Sequence, residues 1–378
     1  MRVLVVHNRY RLEGGEERSV ELQLAALGRA GIEHAFLERS SSGVSRPATA
    51  FALLRGGRDE QQVAEAASEL NADVVHVHNM LPLFGPRALE RARAAGAAVV
   101  MHLHNLRLFC AIGVAARDGG PCFRCHHRNT LPGLLLNCRE SVPEAVVYAA
   151  ALARHQPAVL ENVDRFVVPS DYAAGQSARL GVPADRIDVV PHYLPAEAFA
   201  ERSRADHGEY ALVAGRLSPE KGVDSAIQAA ALADIPLRVV GEGPAASQLM
   251  DLSNVIGAPV DFTGRLGRDD MARELAGAAM LLMPSRYHEF AGYSALEAAA
   301  AGVPVIASRL GALPEILGEE RCLPPNDPHA VGARMRKLWC DPGMRRSEGD
   351  ALIERARTAH SEQAYVERLL DTYRRSRQ

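Results

Sequence analysis

Short apolar runs rich in Val, Ile and Leu recur along the chain, and each is followed by a longer stretch with Ala and Arg at helical spacing. Such runs predict buried strands, and their alternation with helices predicts strand–helix units around parallel sheets. In the first half, the predicted strands are residues 2–7, 33–38, 73–78, 98–104, 165–169 and 187–191. In the second half, they are residues 210–214, 237–240, 260–263, 280–283 and 304–307.

A polar and charged segment at residues 193–209 separates these two series of strands. It contains a Pro and a Gly and has no strand-like period, so we interpret it as a linker. The chain of 378 residues also exceeds the size of a typical single core. We therefore predict an α/β fold of two facing, doubly wound, Rossmann-like domains at residues 1–192 and 210–355.

This architecture predicts where a ligand binds and how the chain ends. Doubly wound sheets bind ligands at the carboxyl ends of their strands, so the cleft between the two domains is the expected site. Residues 356–378 have the pattern of an amphipathic helix, which we expect to pack back toward the first domain.

The charge balance and the N-terminal sequence limit the classes of function to be considered. Lys and Arg number 43 against 46 Asp and Glu, so the composition provides no bulk attraction to nucleic acid. The N-terminus runs directly into an apolar strand without the features of a secretory signal, and no apolar run reaches the length of a transmembrane helix. We expect a cytoplasmic protein with no nucleic-acid partner, and peripheral contact with a membrane stays open.

The segment at residues 286–317 carries the strongest chemical signal. Glu289 lies in the loop after a predicted strand, Gly292 begins a helix, and Glu297 lies on that helix. Backbone N–H groups at a helix start bind phosphate oxygens, because they lack partners and carry the positive end of the dipole. The two carboxylates could then accept hydrogen bonds from a sugar and a ribose. The alternative is an ordinary acidic bias near a helix start.

A second segment, at residues 214–230, agrees with this interpretation. Arg216 lies just after a predicted strand and Lys221 immediately before a helix. Two cations at a strand-to-helix turn can converge on a diphosphate. Taken alone, such a pair is more often solvated.

The first half contributes a Gly-Gly turn and two strand ends rich in histidine. Gly14 and Gly15 lie between the first predicted strand and its helix, where glycine allows either a tight turn or close approach of a ligand. His102 and His104 end one predicted strand and point the same way if the strand is regular. A neighbouring strand ends in the sequence HVHN, and we expect its histidines, His76 and His78, to help line the acceptor side.

Together these motifs resemble family 4 of the retaining glycosyltransferases. Glu289 and Glu297 match the E-x(7)-E donor motif, residues 215–222 are similar to G-R-L-x-x-E-K-G, and residues 302–308 match its G-V-P-V-I-A strand. The Gly-Gly loop and the H-N strand end at His104 also have counterparts in the family. Ala291, Tyr293 and Ala299 differ from the residues usual there.

The resemblance implies a GT-B fold and a retaining, metal-independent transfer from a nucleotide-diphosphate sugar, with a UDP-sugar expected first. The acceptor would be a hydroxyl of a glycan, a lipid-linked glycan or a natural-product aglycone. Catalytic roles fall on His104, Arg216, Lys221 and Glu289. Donor binding falls on Gly14, Gly15, Arg216, Lys221, Glu289, Phe290, Ala291, Gly292, Tyr293 and Glu297. No cofactor is expected in catalysis.

A cysteine-bearing insertion at residues 106–140 is similar to one found in a subset of this family. Its thiols are Cys110, Cys122, Cys125 and Cys138, with a C-x-x-C pair at the centre. Four thiols suffice for a tetrahedral zinc site, and disulfides are improbable in a reducing compartment. We therefore expect a structural zinc in a lid on the acceptor side, with four packed thiols as the alternative.

Three other functions compete with glycosyl transfer. Gly241, Gly243 and Ala246 fit a dinucleotide fingerprint of an NAD(P)-dependent oxidoreductase, but the matching acidic residue, Asp261, follows only fifteen positions after Ala246. A sugar-nucleotide epimerase of the same fold would add carboxylates for removing a carbon-bound proton, and no such set is assigned. A noncatalytic sugar-binding protein would have no need of a phosphate clamp.

Overall fold

A computed structural model of the protein describes residues 1–9, 14–117 and 120–378. The chain forms two compact units. Unit 1 consists of Met1–Ala115, Phe123–His192 and Glu362–Gln378, and unit 2 consists of Ala116–Cys122 and Tyr193–Ser361. Two residues of the predicted cysteine-bearing insertion, 118 and 119, lie outside the described residues. Within the described ranges, no helix has both the length and the apolarity required to cross a membrane.

Strands and helices alternate along most of the chain. The strands are β1 (Arg2–Arg9), β2 (Glu33–Ser40), β3 (Val74–Asn79), β4 (Ala98–His102), β5 (Ala116–Arg117), β6 (Gly120–Pro121), β7 (Arg165–Val168), β8 (Ile187–Val189), β9 (Tyr210–Ala214), β10 (Leu237–Val240), β11 (Val260–Gly264), β12 (Ala278–Met283), β13 (Val305–Ser308) and β14 (Cys322–Leu323). The helices are α1 (Gly15–Arg29), α2 (Arg46–Arg55), α3 (Glu60–Leu70), α4 (Arg87–Ala94), α5 (Leu131–Leu135), α6 (Val142–Asn162), α7 (Asp171–Leu180), α8 (Val223–Ala233), α9 (Ala246–Ile256), α10 (Arg268–Gly277), α11 (Tyr293–Ala300), α12 (Leu313–Leu317), α13 (Pro328–Cys340), α14 (Pro342–Ala359) and α15 (Glu362–Arg375).

Each unit contains one six-stranded parallel sheet. The order is β2-β1-β3-β4-β7-β8 in unit 1 and β11-β10-β9-β12-β13-β14 in unit 2. Every strand predicted from the apolar runs is observed, with ends shifted by at most two residues. Strand β14 and the β5–β6 hairpin were not predicted, because two-residue strands are too short to produce a periodic signal.

The sheet of unit 2 is buried on both faces. All six residues of β12 are buried, and separate apolar clusters cover the two sides of the sheet. Helix α11 packs in one cluster and helix α8 in the other. Burial on both faces explains why these strands have continuous apolar sequences.

Helix α14 supports the end of helix α11 through a glycine contact. A Cβ atom added at Gly349 would lie 2.1 Å from the carbonyl oxygen of Gly302 and 2.2 Å from Ser203 Oγ. Gly302 lies in the turn that ends α11, so Gly349 allows α14 to pack closely at that point.

We predict that Gly349→Ala destabilises the protein, although Ala is favoured over Gly in helices. The overpacking should cost about 1–3 kcal/mol of unfolding free energy. Gly175→Ala is the matched control, because Gly175 lies in α7 and a Cβ atom added there would have no neighbouring atom within 4 Å. That change should stabilise by about 0.5–1 kcal/mol. Urea unfolding followed by circular dichroism measures both, and a stabilised Gly349→Ala variant would contradict the packing described.

Candidate active site

Two loops of unit 2 meet where neighbouring strands β9 and β12 end. The backbone N–H of Arg286 donates to the carbonyl oxygen of Glu220 at 2.8 Å. Gly222, at the start of α8, has a φ of +66°, and a Cβ atom there would lie 2.0 Å from the carbonyl oxygen of Pro284. Glycine is therefore required at this position, both for the backbone conformation and for the close approach. This contact places Lys221 beside the loop that follows β12.

Lys221 and Glu289 form the centre of a hydrogen-bonded cluster. Lys221 Nζ donates to Glu289 Oε1 at 2.7 Å and to the Tyr287 hydroxyl at 3.0 Å. The Tyr287 hydroxyl donates to Glu289 Oε2 at 2.6 Å, and Ser285 Oγ donates to Glu289 Oε1 at 2.9 Å. An ammonium group has three N–H donors. Two are used here, which leaves one for a ligand.

The cluster stabilises the charged forms of both partners. Burial raises the pKa of Glu289, but Lys221 and the hydrogen bonds from Tyr287 and Ser285 outweigh burial and hold this pKa below its usual value. Burial lowers the pKa of Lys221, but Glu289 and Tyr287 outweigh it and raise that pKa. Burial and the nearby Glu289 carboxylate raise the pKa of Tyr287, so its hydroxyl stays a neutral donor. The site therefore contains a persistent ion pair.

The backbone of Glu289 is held on its other side by the loop before α12. The N–H of Ala312 donates to the Glu289 carbonyl oxygen at 2.8 Å. A Cβ atom at Gly311 would lie 2.3 Å from that oxygen, and Gly311 has a φ of +64°. The position of the Glu289 carboxylate is thus fixed by backbone contacts as well as by its own hydrogen bonds.

Helix α11 begins immediately after this loop. Gly292, with a φ of +61°, precedes the first helical residue, Tyr293. Ser294 Oγ donates to the Ala214 carbonyl oxygen at 3.2 Å, which ties the helix start to the end of β9. Phe290 is buried, and Glu297 is half-buried on the second turn. The N–H groups of the first turn give this end of the helix a partial positive charge.

Arg216 lies in the same turn but has a different partner. Its guanidinium donates to Glu220 Oε1 at 2.7 Å, and its side chain is 54% exposed. Arg216 and Lys221 thus pair with separate carboxylates, and their joint binding of a diphosphate stays a prediction. The exposed guanidinium retains other N–H donors for a ligand.

The glycines of the rival dinucleotide motif have a packing role. A Cβ atom at Gly241 would lie 1.9 Å from the Gly215 carbonyl oxygen, and one at Gly243 would lie 2.2 Å from the Leu217 carbonyl oxygen. The N–H of Ala245 also donates to the Leu217 carbonyl oxygen at 3.0 Å. These glycines allow one turn to pack against the loop that carries Arg216, which accounts for the motif without a dinucleotide.

In unit 1, the predicted Gly-Gly turn is closed by an acidic side chain. The N–H of Gly14 donates to Glu17 Oε2 at 2.7 Å, and Gly15 is the first residue of α1. The Gly14 N–H is therefore already satisfied within the helix start. Burial raises the pKa of the adjacent Glu16 to about 8.

His104 lies just beyond the end of β4, which stops two residues earlier than predicted. Its Nε2 is 2.8 Å from His78 Nδ1, and its ring stacks on that of His102 with centroids 4.1 Å apart. Burial and the neighbouring imidazoles hold the pKa of His104 well below its usual value, so the ring is neutral. A pocket of unit 1 adjoins this ring, with polar lining from Asn105 and Arg107 and apolar lining from several Leu and Met residues.

The four cysteines of the insertion are half-buried. Among the described residues, the sets of three or more metal-ligating side chains with donor atoms within 4.8 Å of one another consist of histidines. The zinc site on the cysteines stays a prediction.

Sequence reasoning missed several residues that contact Glu289 or the histidines of unit 1. Tyr287 and Ser285 lie within four residues of Glu289, and their place in the same loop was the available signal. His192 follows β8, in the same strand-end position as the histidines that were found. Tyr373 contacts His76 from helix α15, and the sequence contains no signal for that pairing.

Comparison with known proteins covers both halves of the chain. Residues 3–192 match the family model of the glycosyl transferase 4-like domain, and residues 196–358 match that of glycosyl transferases group 1. An exopolysaccharide phosphotransferase of Streptomyces coelicolor is 38% identical over 46% of this chain and 19% of its own length. A GDP-mannose-dependent alpha-(1-6)-phosphatidylinositol dimannoside mannosyltransferase of Mycobacterium tuberculosis is 33% identical over 49% of this chain and 51% of its own length. The chain thus matches about half or less of the length of these relatives.

A solved structure agrees over nearly the whole chain. The sucrose-phosphate synthase of Thermosynechococcus elongatus has a TM-score of 0.74 and 18% identity, covering 99% of this chain and 98% of that one. At this identity the likeness shows the fold, and the predicted α/β class with two Rossmann-like halves of the GT-B type is confirmed. With matches to both family models, the chain belongs to the family of glycosyl transferases group 1 with a glycosyl transferase 4-like N-terminal domain.

Proposed function

We propose that the protein is a retaining glycosyltransferase that moves a sugar from a nucleotide-diphosphate sugar to a hydroxyl acceptor. The observation that carries this proposal is the Lys221–Glu289 cluster beside the start of α11. It combines a cation with a spare donor, a fixed carboxylate and the positive end of a helix dipole. Phosphate and sugar hydroxyls require these three kinds of group.

The roles of the residues follow from their chemistry. As the bond between the anomeric carbon and the phosphate oxygen breaks, negative charge grows on the phosphate. The free Lys221 N–H, the exposed Arg216 guanidinium and the N–H groups of α11 would stabilise that charge, because fixed donors need no reorganisation. The Glu289 carboxylate would accept a hydrogen bond from a donor-sugar hydroxyl, and Glu297 from the ribose. The acceptor hydroxyl would attack the face from which the phosphate leaves, which gives retention.

The acceptor is assigned to the pocket of unit 1 beside His104. Its neutral imidazole can accept a hydrogen bond from an acceptor hydroxyl or donate one to it. The apolar lining around it, which includes Leu53, Met80 and Leu152, suits an acceptor with an apolar portion. Reaction in the cytoplasm, as expected from the sequence, is part of this proposal.

Two nucleoside diphosphates, UDP and GDP, are considered as carriers of the donor sugar. The sequence resemblance favours a UDP-sugar, and the mannosyltransferase relative is named for its dependence on GDP-mannose. The described contacts involve the groups that would face phosphate and sugar. Both donors therefore belong in the first assay.

We expect incubation of the purified chain with labelled UDP-sugars and GDP-mannose, together with polyol and glycolipid acceptors, to give a glycosylated product. The anomeric configuration, measured by NMR, should match that of the donor. Release of an epimerised nucleotide sugar would instead support an epimerase. If the protein binds a donor but converts it with none of the acceptors, the result would support a noncatalytic sugar-binding protein.

Arg216→Ala and Lys221→Ala should each weaken binding of nucleoside diphosphate. Loss of a charge-assisted hydrogen bond should cost about 1.5–3 kcal/mol, roughly ten- to a hundredfold in Kd. Lys337→Ala is the matched control, because Lys337 is the other lysine of the chain and is exposed on α13. Isothermal titration with UDP and GDP measures the effect. Unchanged affinity in both site variants would contradict the phosphate role.

Chelation should leave the transfer rate unchanged over the time of an assay. The reason is that the proposed phosphate contacts come from Lys221, Arg216 and backbone N–H groups, which replace a divalent cation. Initial rates with and without EDTA provide the measurement. Immediate loss that Mg²⁺ or Mn²⁺ restores would show that the donor phosphate requires a metal.

A further inference from the structure

Six histidines lie together in unit 1, and the mechanism proposed above uses only one of them. We call them the histidine cluster: His7, His76, His78, His102, His104 and His192. His76, His78 and His102 lie on the central strands of the sheet and are almost completely buried, with exposures of 0%, 3% and 1%. His7 is also buried, with an exposure of 1%. Such burial of polar rings requires a compensating partner.

Strand register brings these three rings to one face. His76 and His78 are two residues apart on β3, so they point to the same side of the sheet. The register pairs Val77 of β3 with Met101 of β4, which places His78 beside His102. Ring centroids are 4.8 Å apart for the His76–His78 pair and 5.0 Å apart for His78 and His102.

Several ring nitrogens of these histidines have no hydrogen-bond partner within the described part of the chain. They are His76 Nε2, His78 Nε2 and both nitrogens of His102. A buried nitrogen without a partner is unfavourable, because it has lost its hydrogen bonds to water. The described residues thus leave a group of unsatisfied nitrogens at the core of the unit.

The other nitrogens of His76 and His78 have hydrogen-bond partners, and the direction of each bond depends on the tautomer. His76 Nδ1 is 2.9 Å from the Tyr373 hydroxyl oxygen, which also accepts from Gln23 Nε2 at 3.1 Å. His78 Nδ1 is 2.8 Å from His104 Nε2. When His76 and His78 donate from Nδ1, the lone pairs at Nε2 stay free. Metal-ligating histidines are commonly oriented in this way, through a hydrogen bond from the nitrogen opposite the metal.

The spacing of the donor atoms fits a metal ion. One ligand atom from each of His76, His78 and His102 lies within 4.8 Å of the other two. Ligand nitrogens around a tetrahedral zinc ion are about 3.4 Å apart, from zinc–nitrogen distances near 2.1 Å. The rings of each neighbouring pair are nearly parallel, with interplanar angles of 24° and 23°, so metal binding requires the rings to turn until their nitrogens converge.

We propose that His76, His78 and His102 bind one late first-row divalent transition metal, with Zn²⁺ as the first choice, inside unit 1. Imidazole is a preferred ligand of these metals, and three imidazoles with one further ligand complete a tetrahedral site. The metal would join strands β3 and β4 just before His104. Its role is structural, since it would fix the strand ends that carry the acceptor-side residues.

The surroundings suit a buried cation. The side chains of His76, His78 and His102 are almost completely buried, and a neutral imidazole offers one nitrogen lone pair to a metal. Glu16 lines the same pocket as His78 and His102. Its carboxyl group lies beside the histidine cluster, with Oε1 at 3.9 Å from His7 Nδ1.

His102, His104 and His192 form a second set in which one ligand atom from each residue lies within 4.8 Å of the other two. Two of its members are engaged, because His104 Nε2 is near His78 Nδ1, and His192 Nδ1 is 3.4 Å from Ser19 Oγ. His76 and His78 are engaged through Nδ1 in the same way, but every member of the first set has a buried nitrogen without a hydrogen-bond partner among the described residues, so we assign the metal to the first set.

The test uses the full chain purified without a polyhistidine tag, stripped of metal and then equilibrated with Zn²⁺ or Co²⁺. A Cys122→Ser/Cys125→Ser variant removes the C-x-x-C pair, so that metal on the insertion is distinguished from metal on the histidines. We expect this variant to retain one equivalent of metal by elemental analysis. Its Co²⁺ spectrum should show tetrahedral d–d bands without a thiolate charge-transfer band.

Further variants assign the ligands. His102→Gln should lower metal affinity at least a hundredfold, and Tyr373→Phe about ten- to a hundredfold because the hydrogen bond that orients His76 is lost. His329→Gln is the control, since His329 is exposed in unit 2, and it should bind metal like the parent. Circular dichroism and the thermal shift on adding Zn²⁺ check folding of each variant.

The proposal is overturned if the Cys122→Ser/Cys125→Ser protein, still folded, retains no Zn²⁺ or Co²⁺; a buried water would then be the better partner for these nitrogens. It is also overturned if folded His102→Gln retains metal with unchanged affinity. Because metal content is the readout, neither result depends on glycosyl transfer.

Discussion

The close approach of Gly222 to the carbonyl oxygen of Pro284 is the constraint on which the candidate site depends. A side chain at position 222 would separate the loop after β9 from the loop after β12. Lys221 would then lose Glu289, and the Glu289 carboxylate would lose the cation that outweighs its burial. An isolated buried charge is far more costly than a paired one. Backbone packing thus comes first, and the electrostatics of the site follow from it.

The core of unit 1 contains a group of buried polar rings. Helix α15 contributes to this core through the Tyr373 hydroxyl, which contacts both His76 and Gln23. Gln23 also accepts from the Tyr365 hydroxyl at 3.0 Å, so two residues of the same helix enter one hydrogen-bond network. Buried networks of this kind specify a unique arrangement when every member has a partner. The unsatisfied nitrogens of His102 mark where the described part of this network is incomplete.

Most of the fold could be predicted from the sequence, because strands buried on both faces produce continuous apolar runs. The positions of Glu289, Gly292 and Glu297 on loop and helix were also predictable, since the helix start follows directly from local sequence. The pairing of Lys221 with Glu289 was not, because it depends on two loops separated by more than sixty residues meeting through a glycine. Tyr373 and His76 are separated by 297 positions, and no local pattern relates them. His104 was predicted on a strand but lies in the following loop, since ladder pairing of β4 stops at His102.

The ion pairs of the candidate site have a consequence for ligand binding. Each of the two ion pairs, Arg216–Glu220 and Lys221–Glu289, has a net charge of zero. The two pairs therefore supply no excess positive charge to balance a bound diphosphate. Favourable binding then depends on the third Lys221 N–H, on the exposed part of the Arg216 guanidinium and on the partial positive charge at the start of α11. The Lys221 pair is held by Tyr287 and Ser285, whereas Arg216 is more than half exposed and bound to a single carboxylate. Arg216 can therefore exchange Glu220 for a phosphate at low cost. Lys221 stays paired with Glu289 during this exchange and holds its carboxylate in place.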